Sequence, residues 1–150
     1  MKLAEALQER ADLLRRIEQL RTRLDNNVLV QEGETPAENP DELLEELERC
    51  IARSEELMTR INLTNAAVTV EGESLTALLA RRDCLKMKLS LWHDAVNTAS
   101  QTARRATRSE IRIRSAIDVP TLQKRVDGAS KLLRETDNLI QAANWLNDLI

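Results

Sequence analysis

The densest chemistry in this chain of 150 residues is basic. Arg104, Arg105, Arg108, Arg112 and Arg114 fall in the stretch ARRATRSEIRIRSAID, residues 103–118. Clustered guanidinium groups bind phosphate by bidentate hydrogen bonds and counterion release, which makes this segment the candidate anion site. No aromatic residue is interleaved with it, whereas single-stranded nucleic acid is held largely by stacking. The other use of such a run is pairing with carboxylates, and the acidic loop QEGETPAENP at 31–40 offers them, within or between chains. The net charge of −3 argues against wholesale nucleic-acid binding, which calls for a basic domain.

The remaining reactive groups are sparse. His93 is the one histidine and reads as a surface residue of a helix. Cys50 and Cys84 form no CxxC pair, and their offset in a helical hairpin is too large for a bridge, so they read as buried, reduced thiols. The carboxylates of DELLEELE at 41–48 recur along a helix without the histidines that di-metal bundle sites use. Gly33 stands alone, so the acidic loop is no phosphate cradle. The sequence therefore predicts no catalytic residue, no cofactor, no metal and no enzyme activity.

The elements that carry these residues follow from composition. Apolar residues make up 42% of the chain, yet there is no Phe or Tyr, and Trp92 and Trp145 are the aromatic residues. Three Gly and three Pro leave few breakers, so long helices are expected. Apolar spacing of three and four predicts helices over about 2–26, 41–66, 74–103 and 119–147, in a single domain over 1–150. The first seam runs Leu3, Leu7, Ala11, Leu14, Ile17, Leu20, Leu24, and the second Leu44, Leu47, Ile51, Met58, Ile61. The third runs Leu75, Leu78, Leu85, Leu89, Trp92, Val96, Ala99, and the fourth Val119, Leu122, Val126, Ala129, Leu133, Ile140, Ala143. Asn39 with Pro40 and Glu42, Ser74, and Asp118 are the expected starts, and Asn26–Asn27 the expected left-handed stop. The fold class is all-α: an antiparallel four-helix bundle of long coiled-coil-like hairpins, with short β-strands at the helix junctions. Those strands are NVLV at 27–30, AVTV at 67–70 and EIRIR at 110–114. The first and third would pair, with Ile111 and Ile113 facing in and Arg112 and Arg114 facing out. AVTV would need a partner from another chain or remain a loop.

Two interior positions stand out. Arg82 interrupts the third seam, where a charge needs a partner. Hairpin register places it near Glu55 and Glu56 on the second helix and near Asp137 on the fourth, which predicts a structural ion pair. Gly128, Ala129 and Ser130 make a small-residue notch opposite Trp92, which would pack over it.

The stretches MKLAEAL (1–7), NNVLVQEGETPAENP (26–40), RINLTNAAV (60–68), LARRDCLKMKLSL (79–91), RSEIRIRSAIDVPTLQKRVD (108–127) and LIQAANW (139–145) resemble a family of small bacterial helical proteins labelled septicolysin or septicolysin-like. The resemblance spans nearly the whole chain. It implies that Gln31, Glu32, Gly33, Asn62, Asn65, Arg82, Asp83, Arg108, Ser109, Glu110 and Asn144 are family features. Ala106 and Thr107 stand where the family often carries Tyr. The label implies a cytolysin.

No run is long and apolar enough to cross a bilayer, and the N-terminus MKLAEALQERADLL has no apolar signal region, so a cytoplasmic location is the expectation. Leu13, Leu43, Leu57, Leu79, Leu132, Leu139 and Leu146 flank the seams as surplus apolar surface. Surplus of that kind points to burial against another copy. The expected function is that of a structural or interaction protein forming a homo-oligomer. Anion binding through the arginine segment and membrane activity are the alternatives. Polar family positions such as Asn62, Asn65, Arg82, Asp83 and Glu110 would line any pocket between chains.

Overall fold

The computed structural model describes residues 1–102 and 111–150. It holds α1 (Leu3–Asp25), α2 (Pro40–Ala67), α3 (Leu75–Ala99) and α4 (Val119–Leu146), with a hairpin of β1 (Thr69–Val70) and β2 (Glu73–Ser74) between α2 and α3. The all-α class with short strands is thus the observed one. By residue contacts the chain clusters into two compact units, Met1–Thr69 with Ala143–Ile150, and Val70–Ala142.

Helix starts follow the predicted chemistry. The Asn39 side chain accepts the Asp41 N–H at 3.0 Å, with Pro40 at the first helical position. The Ser74 hydroxyl accepts the Ala77 N–H at 3.2 Å, and Asp118 accepts both the N–H and the hydroxyl of Thr121. Glu42 closes no capping box among the described residues, because Asn39 bonds one residue earlier in the turn. The third helix stops at Ala99 rather than near 103, and the Ser100 hydroxyl donates to the Val96 carbonyl at 2.7 Å.

In the first unit α1 and α2 pack as an antiparallel pair. Arg53 donates to Glu9 at 2.7 and 3.0 Å, Arg16 donates to Glu46 at 2.9 and 2.5 Å, and Arg23 pairs with Glu38. The paired numbers sum to nearly the same value each time, so one register holds along the pair. The seams differ from those expected. On α1 the inward line is Leu3, Ala6, Arg10, Leu13, Ile17, Leu20, Leu24 and then Asn27, while Leu14 is exposed. On α2 it is Leu43, Leu47, Cys50, Ser54, Leu57, Ile61, Thr64, while Leu44, Ile51 and Met58 are exposed. Leu43 and Leu57, expected as surplus, are core. Each fully withdrawn leucine contributes roughly 2 kcal/mol. Arg10 sits in this seam with Nε buried and without a hydrogen-bond partner among the described residues.

Asn27 is not the left-handed stop expected. Asn26 is right-handed, with φ −77° and ψ −12°, and Asn27 is buried. The Asn27 side chain donates to the Arg23 carbonyl at 2.8 Å and accepts the Glu38 N–H at 2.9 Å, tying the end of α1 to the end of the loop. Residues 28–30 form no strand and are exposed. The segment 111–114 is likewise no strand: Ile111 is 74% and Ile113 47% exposed. The strand pair lies instead at β1 and β2, within one chain, and the expected pairing of 27–30 with 110–114 is absent among the described residues. Glu71 and Gly72 both take positive φ, 53° and 87°, as a two-residue type I′ turn requires. For Glu71 that conformation costs about 1–2 kcal/mol.

The C-terminal segment closes the first unit. Lys2 and Asp148 face one another in an antiparallel bridge and in an ion pair at 3.1 Å. The Leu149 N–H donates to the Met1 carbonyl, and the Ile150 N–H donates to the buried Thr64 hydroxyl at 3.0 Å. Arg60 Nε donates to the Ile150 main-chain oxygen at 2.8 Å. In the second unit the expected seams of α3 and α4 hold: every residue named for them is buried or half-buried, and Thr136 fills the gap between Leu133 and Ile140.

Two predictions follow from the α1–α2 pair. Asn27→Ala leaves the buried Glu38 N–H without its acceptor, and urea unfolding is expected to show a loss of about 1–3 kcal/mol. The arginines hold the carboxyls of Glu9, Glu38 and Glu56 below the usual value of 4.5. Their contribution is complete above that value and is lost as the pH falls through the lower folded values. Thermal melts at decreasing pH should therefore fall below about pH 4.5, and Arg23→Gln should shrink that fall.

Candidate functional site

Two grooves concentrate the surface features. The first lies on the α1–α2 pair, about 430 Å³ in volume, with Leu14, Ile51 and Met58 along its walls and Glu55 and Asn62 among its polar groups. Its origin is the seam itself. Leu13, Cys50 and Leu57 take the inward positions, so Leu14, Ile51 and Met58, each one position on, are left facing water. The sequence flagged these apolar residues, but as core.

The second groove, about 550 Å³, lies at the end of α3. Ala95 and Thr98 form one wall, Ile113 and Ile117 the other, and Asp94 and Arg114 bring opposite charges to it. The volume is in the range of small-molecule sites. Ser115 is committed to its own loop: its hydroxyl donates to the Ile117 carbonyl at 2.7 Å and accepts the Ile117 N–H at 3.3 Å.

Among the described residues neither groove holds an acid–base pair. The carboxyls with perturbed titration, Glu9, Glu38, Glu56 and Asp118, are engaged by arginines or by the Thr121 cap. His93 is exposed. Cys50 is half-buried and Cys84 exposed, both as free thiols, so the expected burial of the pair is corrected for Cys84. No group of three metal-binding side chains occurs among the described residues.

Of the expected anion-binding arginines, Arg112 and Arg114 are exposed, and Arg104, Arg105 and Arg108 lie outside the described residues. In the acidic loop, Glu38 is engaged by Arg23. Arg82 does occupy an inward position of α3, but its guanidinium bonds the next residue, Asp83, at 2.9 Å. Glu56 pairs with Arg53 and Arg60, and Asp137 forms no ion pair with Arg82 among the described residues. A neighbouring carboxylate at the rim costs less desolvation than a partner drawn into the interior. The notch is also corrected. Gly128 is exposed, and a Cβ built on it meets nothing within 4 Å, so Trp92 does not pack there. Trp92 is half-buried, with Lys88 Nζ 5.5 Å from its ring centre. Of the family positions, Asn144 is buried and Gln31, Glu32 and Gly33 are exposed, with Gly33 at φ 88°.

Open space at Gly128 turns a failed contact into a test. Gly128→Ala removes the flexibility of a mid-helix glycine without a clash, and denaturation should show a gain of about 1 kcal/mol.

The crystal structure of a functionally unknown conserved protein from Corynebacterium diphtheriae is similar to this chain. The two are 39% identical, with a TM-score of 0.92 over 100% of this chain and 99% of the other. No curated protein matches the chain. The model of a family of unknown function, DUF6847, matches residues 10–149, and the chain belongs to that family.

Proposed function

We propose that this protein is an interaction protein that assembles with further copies of itself through apolar helix faces. The observation that carries the reading is the row Leu14, Leu44, Ile51 and Met58, exposed along the packed α1–α2 pair. Two helices that already bury one full seam have no internal use for a second. Contiguous exposed apolar surface on a rigid helix pair is the usual mark of a protein contact. The flanking carboxylates and Asn62 give it the polar rim such contacts carry.

A second reading rests on Arg112 and Arg114, exposed beside the α3 groove, and takes a phosphate-bearing ligand there. Its sign is binding that weakens steeply with salt. Membrane activity, implied by the resemblance to septicolysin-like proteins, is a third. No helix among the described residues is long and apolar enough to cross a membrane, so this reading requires the exposed rows to lie on the bilayer surface. Vesicle leakage separates it from the others.

Size exclusion coupled to light scattering tests the assembly reading. The wild-type chain is expected as an oligomer, and Ile51→Glu with Met58→Glu should lower its mass while the helical circular dichroism is retained. A wild-type chain that stays monomeric at high micromolar concentration would overturn the reading.

A further inference from the structure

α3 carries two apolar faces. One is the inward seam from Leu75 to Ala99. The other runs Ala77, Ala80, Cys84, Met87, Leu91, Ala95, Thr98, and at about 100° per residue it lies roughly 130° around the helix from the seam. This outer stripe is open to water: Met87 is 67% and Leu91 63% exposed, and all but the half-buried Ala95 are exposed. It ends in the α3 groove, whose near wall is Ala95 and Thr98.

The spacing of the stripe is nearly the same in both directions, save that Met87 falls opposite Lys88. Read from the midpoint between Met87 and Lys88, Leu91 mirrors Cys84, Ala95 mirrors Ala80 and Thr98 mirrors Ala77. The large side chains stand at the centre and the small ones at the ends. Lys88 is drawn aside over the Trp92 ring, which leaves Met87 at the middle. A surface that complements itself under reversal is what a twofold contact requires, since the same patch must serve both copies.

Charge favours the same partner. The β1–β2 turn at the start of α3 presents Glu71, exposed and held at φ 53° where asparagine or glycine would sit without strain. Its neighbour Glu73 is already engaged by Arg81 at 2.5 Å. At the other end of α3, Arg114 lines the groove with Asp94, Thr98 and Gln101. Two α3 helices laid antiparallel about the midpoint bring the Glu71 end of each to the Arg114 end of the other.

We propose that the outer stripe of α3 is a twofold interface with a second copy of this chain, centred on Met87 and closed at both ends by Glu71 against Arg114 of the other copy. The proposal rests on the self-assembly reading and adds to it a second face, with its symmetry. Arg114 then serves as a clamp for a carboxylate of another copy.

Disulfide trapping tests the register. In Leu91→Cys the new thiol faces the native Cys84 of the second copy, so oxidation should give a covalent dimer on a non-reducing gel. In Leu91→Cys with Cys84→Ser the two residues 91 stand about 10 Å apart along the axis, too far to bridge. That double variant should stay uncrosslinked. Glu71→Asn keeps a residue suited to the turn and removes the charge. Because each end contact occurs twice, it should weaken self-association about tenfold without lowering thermal stability. Glu71→Arg with Arg114→Glu should restore association lost in either single reversal. Equal crosslinking with and without Cys84, no crosslinking in an oligomeric chain, or no rescue by the double reversal would overturn this face while leaving self-assembly through α1–α2 standing. A strictly monomeric wild-type chain would overturn both.

Discussion

Register between α1 and α2 is the constraint on which the first unit depends. Glu9–Arg53, Arg16–Glu46 and Arg23–Glu38 hold one alignment from end to end. These pairs are partly exposed, so each adds little to stability. Their value is selective: a slip by one turn would set each arginine against the wrong side chain while the leucine seam changed little. Cohesion comes from Leu3, Leu20, Leu43 and Leu57, and direction comes from the arginines. Buried Asn27 completes the arrangement by fixing where the loop leaves α1 and where it rejoins Glu38.

A core without Phe or Tyr fills its seams with small and branched side chains, and this shapes the surface as well as the interior. Inward positions taken by Ala6, Cys50, Ser54 and Thr64 leave leucines, isoleucines and methionines outside. The exposed row on α1–α2 follows from how its seam is filled, whereas the inward seam of α3 is itself leucine-rich and the outer stripe is apolar surface beyond it.

Much of the fold was legible because α3 and α4 place apolar residues at nearly every inward position, so spacing alone identified the face. α1 and α2 were less legible for a physical reason. A buried serine or threonine in a helix can bond the carbonyl one turn back, as Thr64 does to Arg60 and Thr136 to Leu132, both at 2.8 Å. Such residues enter a seam at low cost and leave no hydropathic trace. The reading of the sequence then slid to Leu44, Ile51 and Met58. Strand pairing failed similarly: β-prone composition at 27–30 and 111–114 had no partner among the described residues, whereas Glu71–Gly72 closed the AVTV run locally through a turn that asparagine would have announced. Of the candidate site, the arginines and the apolar residues of the grooves were legible, and the partner of Arg82 and the emptiness beside Gly128 were not. Those depend on helix rotation, which spacing does not fix.

The C-terminal clasp has a consequence in time. Residues 1–3 and 60–64 find their last hydrogen bonds on residues 147–150, so the first unit stays unfinished until the chain has been made almost to that point. At roughly 5–20 residues per second, translation leaves the α1–α2 pair waiting about 4–16 s for its closing strand. During that interval its open end and its exposed apolar row are both accessible on the ribosome.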